Sequence, residues 1–241
     1  MRVLIEGARA WGLELSEIQL QAFQAYYEEL VAWNDRFNLT AITDYQQVQI
    51  RHFLDSLSCL LVLDVWFPPD LPPPRVMDVG AGAGFSGMAL KLLRPDWELT
   101  LVDSVHKKVQ FLEHMVQVLA LRGVTILWAR VEELGQDPAH REQYDVAVGR
   151  AVADLSVLAE YLLPFCRVGG VMVAPKGFKA KAEVGAAQQA INTLGGRVVE
   201  VRRVEVPGLE ETRYLVVVEK VTPTPARYPR RPGIPSKRPL S

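Results

Sequence analysis

The spacing of apolar positions divides the chain into a helical beginning and a long alternation of strands and helices. Ser16-Glu17-Ile18-Gln19 has the capping-box form, a hydroxyl followed three residues on by a side-chain amide. Leu20, Phe23, Tyr27, Leu30 and Val31 then recur at spacings of three and four, which predicts an amphipathic helix needing a partner surface. In residues 51–57, His52 and Asp55 fall one helical turn apart on a shared face, where they either satisfy each other or meet a substrate. At Arg75 the pattern changes. Val76, Met77 and Val79 are compact and apolar, Gly80, Gly82, Gly84 and Gly87 free the backbone, and Met88, Ala89, Leu90 and Leu92 resume helical spacing. That is a buried strand entering a glycine turn and a helix N-terminus.

The alternation continues. Residues 97–103 read as a strand ending in an acid. Ser104 stands as cap of a helix carrying Val105, Val109, Leu112, Val116 and Leu119, closed by Gly123. Residues 124–129, 144–148 and 171–174 follow as strands, with a helix through Leu155, Leu158, Ala159 and Leu162 and a Gly169-Gly170 turn between the last two. After a helix to Leu194 and a Gly195-Gly196 turn, residues 197–206 and 213–220 are strand-like with no helix between them, which predicts an antiparallel hairpin. Five strands plus this hairpin make an α/β fold with a mostly parallel seven-stranded, doubly wound sheet and one reversed edge strand. Pro68, Pro69, Pro72, Pro73 and Pro74 break any helix. The expected organisation is an N-terminal helical extension over 1–67, a core over 75–221 and a proline-rich tail over 222–241.

Composition sharpens this in two places. Hydrophobic residues make up 49% and charged residues 23%, no apolar run approaches the ~18–20 residues of a membrane span, and residues 1–15 lack the apolar stretch of a secretory signal, so a cytoplasmic protein is expected. Cys59 and Cys166 stand alone, as core thiols do, and the four histidines show no metal-type spacing. The tail holds Arg227, Arg230, Arg231, Lys237 and Arg238 with no acid, so it carries +5 of a chain whose net charge is −1 and leaves −6 on the rest. Its six prolines favour an extended arm, and its charge an anionic partner.

Gly82-x-Gly84-x-x-Gly87 matches the dinucleotide fingerprint, and Asp103, 19 positions after Gly84, is the acid that any adenosine-type cofactor uses for its ribose. Other features favour a methyl donor. Asp78 precedes the glycines, where a carboxylate receives an ammonium group such as that of S-adenosylmethionine and repels a pyrophosphate. The closing hairpin leaves no second parallel half for a dinucleotide. Val131-Glu132-Glu133 sets an acid where an adenine amino group would sit. Neither cysteine lies at a strand end as a nucleophile for a pyrimidine carbon, and the fourth strand ends in Gly149-Arg150-Ala151 without the Asp/Asn-Pro-Pro-aromatic acceptor used for exocyclic amines. Guanine N7 needs only positioning, because its lone pair already projects from the ring. Arg150 faces either cofactor or guanine, and Lys176 a phosphate, a base edge or a structural partner.

Asn38-Leu39-Thr40, His52-Phe53-Leu54-Asp55-Ser56-Leu57, residues 78–85, Val102-Asp103-Ser104, Arg150-Ala151-Val152-Ala153, Lys176-Gly177 and residues 228–235 together resemble the RsmG (GidB) family of bacterial small-subunit ribosomal RNA methyltransferases, over nearly the whole chain. Ser86 stands where many relatives carry Pro. The resemblance implies a Rossmann-like class I S-adenosylmethionine-dependent methyltransferase acting on N7 of a guanine in 16S ribosomal RNA; a monomer is expected. With the residue reading it assigns the cofactor to Asp78, Gly80, Gly82, Gly84, Phe85, Asp103, Ser104, Val105, Val131, Glu132 and Arg150. The residues themselves point to RNA contacts at His52, Asp55, Lys176, Arg230, Arg231 and Lys237. A non-catalytic RNA-binding module and an NAD-dependent oxidoreductase are the alternatives.

Overall fold

The computed structural model describes residues 1–150 and 153–240. Its centre is a sheet of seven strands in the order β3-β2-β1-β4-β5-β7-β6. The strands are β1 (Arg75–Val79), β2 (Glu98–Asp103), β3 (Val124–Trp128), β4 (Tyr144–Val148), β5 (Cys166–Lys176), β6 (Gly196–Val204) and β7 (Arg213–Lys220). β1 pairs in parallel with β2 on one side and β4 on the other, while β7 runs antiparallel to both β5 and β6. The chain therefore winds outward from β1 to β3, returns to β4, and leaves a crevice beyond the carboxyl ends of β1 and β4, where ligands enter such sheets.

Two expectations about the sheet need correction. The reversed strand is not at the edge: β7 lies inside, and β6 takes the edge. Burial explains the choice. Leu215, Val216, Val217 and Val218 are all buried, an unbroken apolar run that must be covered on both faces. β6 instead carries Arg197, Glu200, Arg202 and Arg203 and a register shift between Val198 and Glu200, charge and irregularity that protect an edge. Likewise Gly169-Gly170 does not end the preceding segment but lies within β5. Gly169 has φ +82°, and a Cβ on Gly170 would stand 2.7 Å from Asp145 O, so the pair lets the strand start against β4 across an irregularity at Tyr144 and Val146.

Alternate strand residues feed two cores. Val76, Leu99, Leu101, Val146, Val171 and Val217 face the N-terminal helices α1 (Arg2–Ala10) and α2 (Glu17–Phe37) and the helical run of α3 (Tyr45–Val48), a π-helical segment (Gln49–Leu54), α4 (Asp55–Leu57) and α5 (Leu60–Trp66). α6 (Phe85–Leu93) and α7 (His106–Val118) share that face through Met88, Phe111 and Leu112. Met77, Ala147, Met172, Val216 and Val218 face α9 (Leu155–Leu162) and α10 (Ala180–Thr193), with the short α8 (Val131–Leu134) beside β3. Residues 1–67 are thus one layer of the core. The capping box of α2 is formed, with Gln19 N–H donating to Ser16 Oγ and Ser16 N–H to Gln19 Oε1. Its buried stripe is Phe23, Tyr26 and Leu30. Tyr26 is a position the spacing alone did not single out.

The tail is not an extended arm. It folds back over α8, α9 and the loop before β4, ending in the turn α11 (Ile234–Lys237), and Thr224, Tyr228 and Pro235 are buried. Arg141 donates to the carbonyls of Gly135, Thr224 and Tyr228 at 2.8, 2.6 and 2.7 Å. Glu160, whose side chain is wholly buried, accepts both the backbone N–H and the guanidinium of Arg230. A buried acid of the body thus takes up the charge at Arg230, which anchors the tail where a free cation for RNA was expected. The exposed cations of the tail are Arg227, Arg231, Lys237 and Arg238. Removing one partner of a buried charge-assisted pair costs about 2–4 kcal/mol, so Glu160→Gln should lower stability by that order in denaturant unfolding and expose Arg227 and Arg230 to trypsin. Unchanged stability and cleavage would mean that the anchor lies elsewhere.

Candidate functional site

A cleft of about 840 Å³ opens beyond the carboxyl ends of β1, β2 and β4, within the size range of small-molecule sites. Its floor is the glycine turn after β1. Gly80 and Ala81 donate their N–H groups to Val102 O at 2.9 and 3.0 Å, which fixes the turn to β2. Gly82, at φ +62°, faces open space, with only Gly80 O at 3.9 Å near its missing Cβ. From below, Tyr26 donates its hydroxyl to Ala83 O at 2.5 Å.

Gly84 departs from its expected role. At φ +81° it caps α6, but a Cβ there would meet Leu112, Met88 and the Tyr26 hydroxyl at 2.8–3.1 Å, so it serves packing beneath the turn and does not line the cleft. Gly87 is needed for another close approach: its N–H donates to Asp78 Oδ2 at 2.7 Å, and a Cβ would collide with that carboxylate. Asp78 is thereby aimed from the end of β1 into the cleft. Burial pushes its carboxyl up to about 6, against the opposing pull of the Gly87 N–H and the Arg150 charge.

Asp103 ends β2 and grips two backbone amides, Gly82 N–H on Oδ2 and Val105 N–H on Oδ1, both at 2.9 Å. It, and not Ser104, closes the turn into α7, because a carboxylate has an oxygen for each amide. Ser104 and Val105 line the cleft beside it, as does Val131. Glu132 lines it too, but one of its oxygens is already engaged. Oε1 accepts from Arg130 at 2.9 Å and from Gly233 N–H of the tail at 2.8 Å. Burial works to raise its pKa, and the Gly233 amide and Arg130 more than offset that and hold it below the usual range.

Opposite the glycine turn stands a charged and aromatic wall. Arg150, following β4, donates to Asp55 Oδ2 at 2.9 Å and to Arg51 O at 2.7 Å, and its guanidinium lies 5.6 Å from the Phe85 ring centroid. Ala151 and Val152, part of the resemblance, lie outside the described residues. Asp55 also accepts from Arg213 at 3.0 Å, so both oxygens are committed to arginines, which is not the free carboxylate expected for a substrate contact. Nor does it bond to His52. The imidazole stacks on Phe85 with centroids 3.8 Å apart and meets Thr40 Oγ1 at 3.0 Å, and burial followed by the Arg150 charge lowers its pKa to about 3. His52 is a neutral ring at pH 7. Lys176 is paired with Glu183 at 2.7 Å and donates to Ala153 O, which makes it a brace at the rim of the cleft. Arg231 and Lys237 remain exposed. Tyr26, Thr40, Arg51 and Arg213 were not singled out as site residues. Only Thr40, within Asn38-Leu39-Thr40, carried a signal.

Residues 19–213 match the GidB family, rRNA small subunit methyltransferase G. The chain belongs to this family. Proteins named ribosomal RNA small subunit methyltransferase G from Roseiflexus sp. (strain RS-1) and Dehalococcoides mccartyi (strain CBDB1) are 53% and 47% identical to it over 240 residues, covering all of each chain. Among solved structures, ribosomal protein L11 methylase from Lactobacillus delbrueckii subsp. bulgaricus has a TM-score of 0.51 at 15% identity, over 75% of this chain and 81% of that one, a likeness of fold. In this member of the GidB family the cleft is bracketed by Asp78, Asp103 and the Arg150–Asp55 pair.

Asp78 sets a test. A carboxyl raised from 3.8 to about 6 binds its proton more tightly folded than unfolded, so the stability it contributes is full below pH 3.8 and lost as pH rises through about 6. Two units correspond to about 2–3 kcal/mol. Asp78→Asn lacks this loss, so the wild-type stability minus that of the variant should fall by that order between pH 4 and 7 in denaturant unfolding. A difference independent of pH would refute the burial argument.

Proposed function

We propose that this chain transfers a methyl group from S-adenosylmethionine to N7 of a guanine in small-subunit ribosomal RNA. The observation carrying the reading is the pairing of Asp78 and Asp103 across a glycine turn whose Gly82 face is open. The donor set fits the cofactor. Asp78 is a buried carboxylate suited to the ammonium of the methionine part, which would bring its pKa down and recover the cost of its burial. Asp103, fixed by two amides, keeps lone pairs for ribose hydroxyls, and Ser104, Val105, Val131 and the Glu132 backbone form the adenine side. When bound, the cofactor supplies an electrophilic methyl on a sulfonium.

The protein's own groups favour a nucleophile that needs no deprotonation. His52 is neutral and stacked, both Asp55 oxygens hold arginines, and Lys176 is paired. Cys59 and Cys166 are buried, with burial foremost in pushing each thiol up to about 12. Guanine N7 attacks with its own lone pair: the N–CH3 bond forms as the S–CH3 bond breaks, no proton leaves, and the base becomes cationic. Phe85, His52 and Arg150 shape the wall against which the base is positioned. An oxidoreductase reading is disfavoured, because a pyrophosphate over the glycine turn would lie against Asp78. Arg231, Lys237 and their exposed neighbours supply the phosphate contacts, and the setting is the cytoplasm. No helix among the described residues is long and apolar enough to cross a membrane.

Incubation with labelled S-adenosylmethionine and small-subunit RNA, free or in the particle, should yield 7-methylguanosine on nucleoside analysis. Label in any other nucleoside would contradict the chemistry. Asp103→Ala should weaken cofactor binding in calorimetry at least tenfold and leave RNA affinity near wild type, whereas Arg231→Ala with Lys237→Ala should do the reverse. The opposite pattern would overturn this division.

A further inference from the structure

The loop after β5 holds an aromatic ring that neither the fold nor the cofactor cleft uses. Phe178 is 75% exposed, more than Trp128 at 63%, although a Phe in a packed domain is normally inside. Its position is built. Pro175, Lys176 and Gly177, which lead into it, all line the cleft, so the ring stands at the mouth. Ala180 N–H donates to Gly177 O at 3.0 Å and closes the turn, and the Lys176–Glu183 pair clamps the strand end to α10. The ring is therefore presented from a fixed corner. Gly177 has nothing within 4 Å of its missing Cβ, so the approach past it is open.

Cations accompany the ring. Lys179 Nζ lies 5.7 Å from the Phe178 centroid, and Lys181 Nζ 6.0 Å from that of Tyr214, which pairs with Lys176 across β5 and β7. Unlike Lys176, these two ammonium groups are in no carboxylate pair among the described residues. An exposed ring interleaved with unmatched lysines is the chemistry of a single-stranded nucleic-acid platform, in which bases stack and phosphates find charge. The proposed reaction also creates a need for one. A guanine brought into the cleft must leave its stack, so the adjoining base loses a face at the cleft mouth.

We propose that Phe178, with Lys179 and Lys181, forms a stacking platform for an unpaired base next to the target guanine. This rests on the proposed RNA reaction and names the part of the RNA that meets this face. Stacking on one aromatic is worth ~1–3 kcal/mol, so losing it weakens binding by about five- to a hundredfold.

The test is equilibrium binding of small-subunit RNA, free and in the particle, to the full chain and to Phe178→Ala, Phe178→Leu and Phe178→Trp, with S-adenosylmethionine calorimetry on each. Phe178→Ala and Phe178→Leu should weaken RNA binding about tenfold, and Phe178→Trp should restore it. Cofactor affinity should stay within twofold throughout, and Lys179→Ala with Lys181→Ala should reduce the salt dependence of RNA binding by about one to two counterions. RNA affinity of Phe178→Ala within twofold of wild type would overturn the platform. So would full rescue by Phe178→Leu, the signature of an apolar protein contact. Because the assay reads binding, a wild type that binds RNA but methylates another atom would overturn the proposed reaction and leave the platform standing.

Discussion

Asp55 is the group on which the two halves of this structure depend. It comes from the helical layer, is 4% exposed, and each of its oxygens receives an arginine, Arg150 from beyond β4 and Arg213 from the start of β7. Two arginines at the carboxyl end of a sheet repel each other and any cationic ligand, and one buried carboxylate between them reduces that field. The reverse holds for the acid, because a buried carboxylate left without such partners costs several kcal/mol, about 3–5 when one partner of a buried pair is removed. The triad also ties the N-terminal layer to the rim of the sheet, so the cleft has a far wall only when residues 1–67 are packed in place.

That one constraint organises the neighbouring chemistry. Arg150, held by Asp55 and by Arg51 O, lies over Phe85, and its charge adds to burial in keeping His52 neutral. The same charge works on Asp78 in the other direction, opposing the rise that burial causes. The wall is therefore a neutral stacked ring beside a neutralised cation, a surface suited to holding a flat base. The glycine floor is independent of it: its geometry comes from Val102 O, Asp103 and Tyr26, through backbone and turn bonds that require no charge pairing across the cleft.

These two sides differed in how legible they were. The floor was plain in the sequence because its parts are close together: strand, glycines and helix fall within residues 75–93, and Asp103 lies at a spacing that strand geometry dictates. The wall was not, because Asp55 meets Arg150 and Arg213 across sequence separations of 95 and 158 residues, which no local pattern reports. Proximity instead suggested a His52–Asp55 pair that the fold does not make. β7 was read as a strand of the right length, but its place inside β6 depended on comparing how much charge each carries, a tertiary competition for the edge. The motif that carries the family resemblance includes His52 and Asp55, but it does not report that Asp55 joins Arg150 and Arg213 or that His52 stacks on Phe85.

The tail shows why composition overstated one element. Its +5 predicts an external anion, yet the −6 of the body includes a wholly buried acid, Glu160, whose only cationic partner comes from the tail. Glu160 takes Arg230, and Glu132 takes the Gly233 amide. A cation opposite a buried carboxylate is structural, since releasing it to a phosphate would strand the acid in a low dielectric. Arg230 meets this criterion, and Lys176 is paired with the half-buried Glu183, whereas Arg231, Lys237, Lys179 and Lys181 have no such partner among the described residues. The Glu132–Gly233 bond adds a mechanical link, because an acid that lines the cleft also holds the tail. The fold thus carries the exposed cations of the tail on a segment anchored to the wall of the cleft itself.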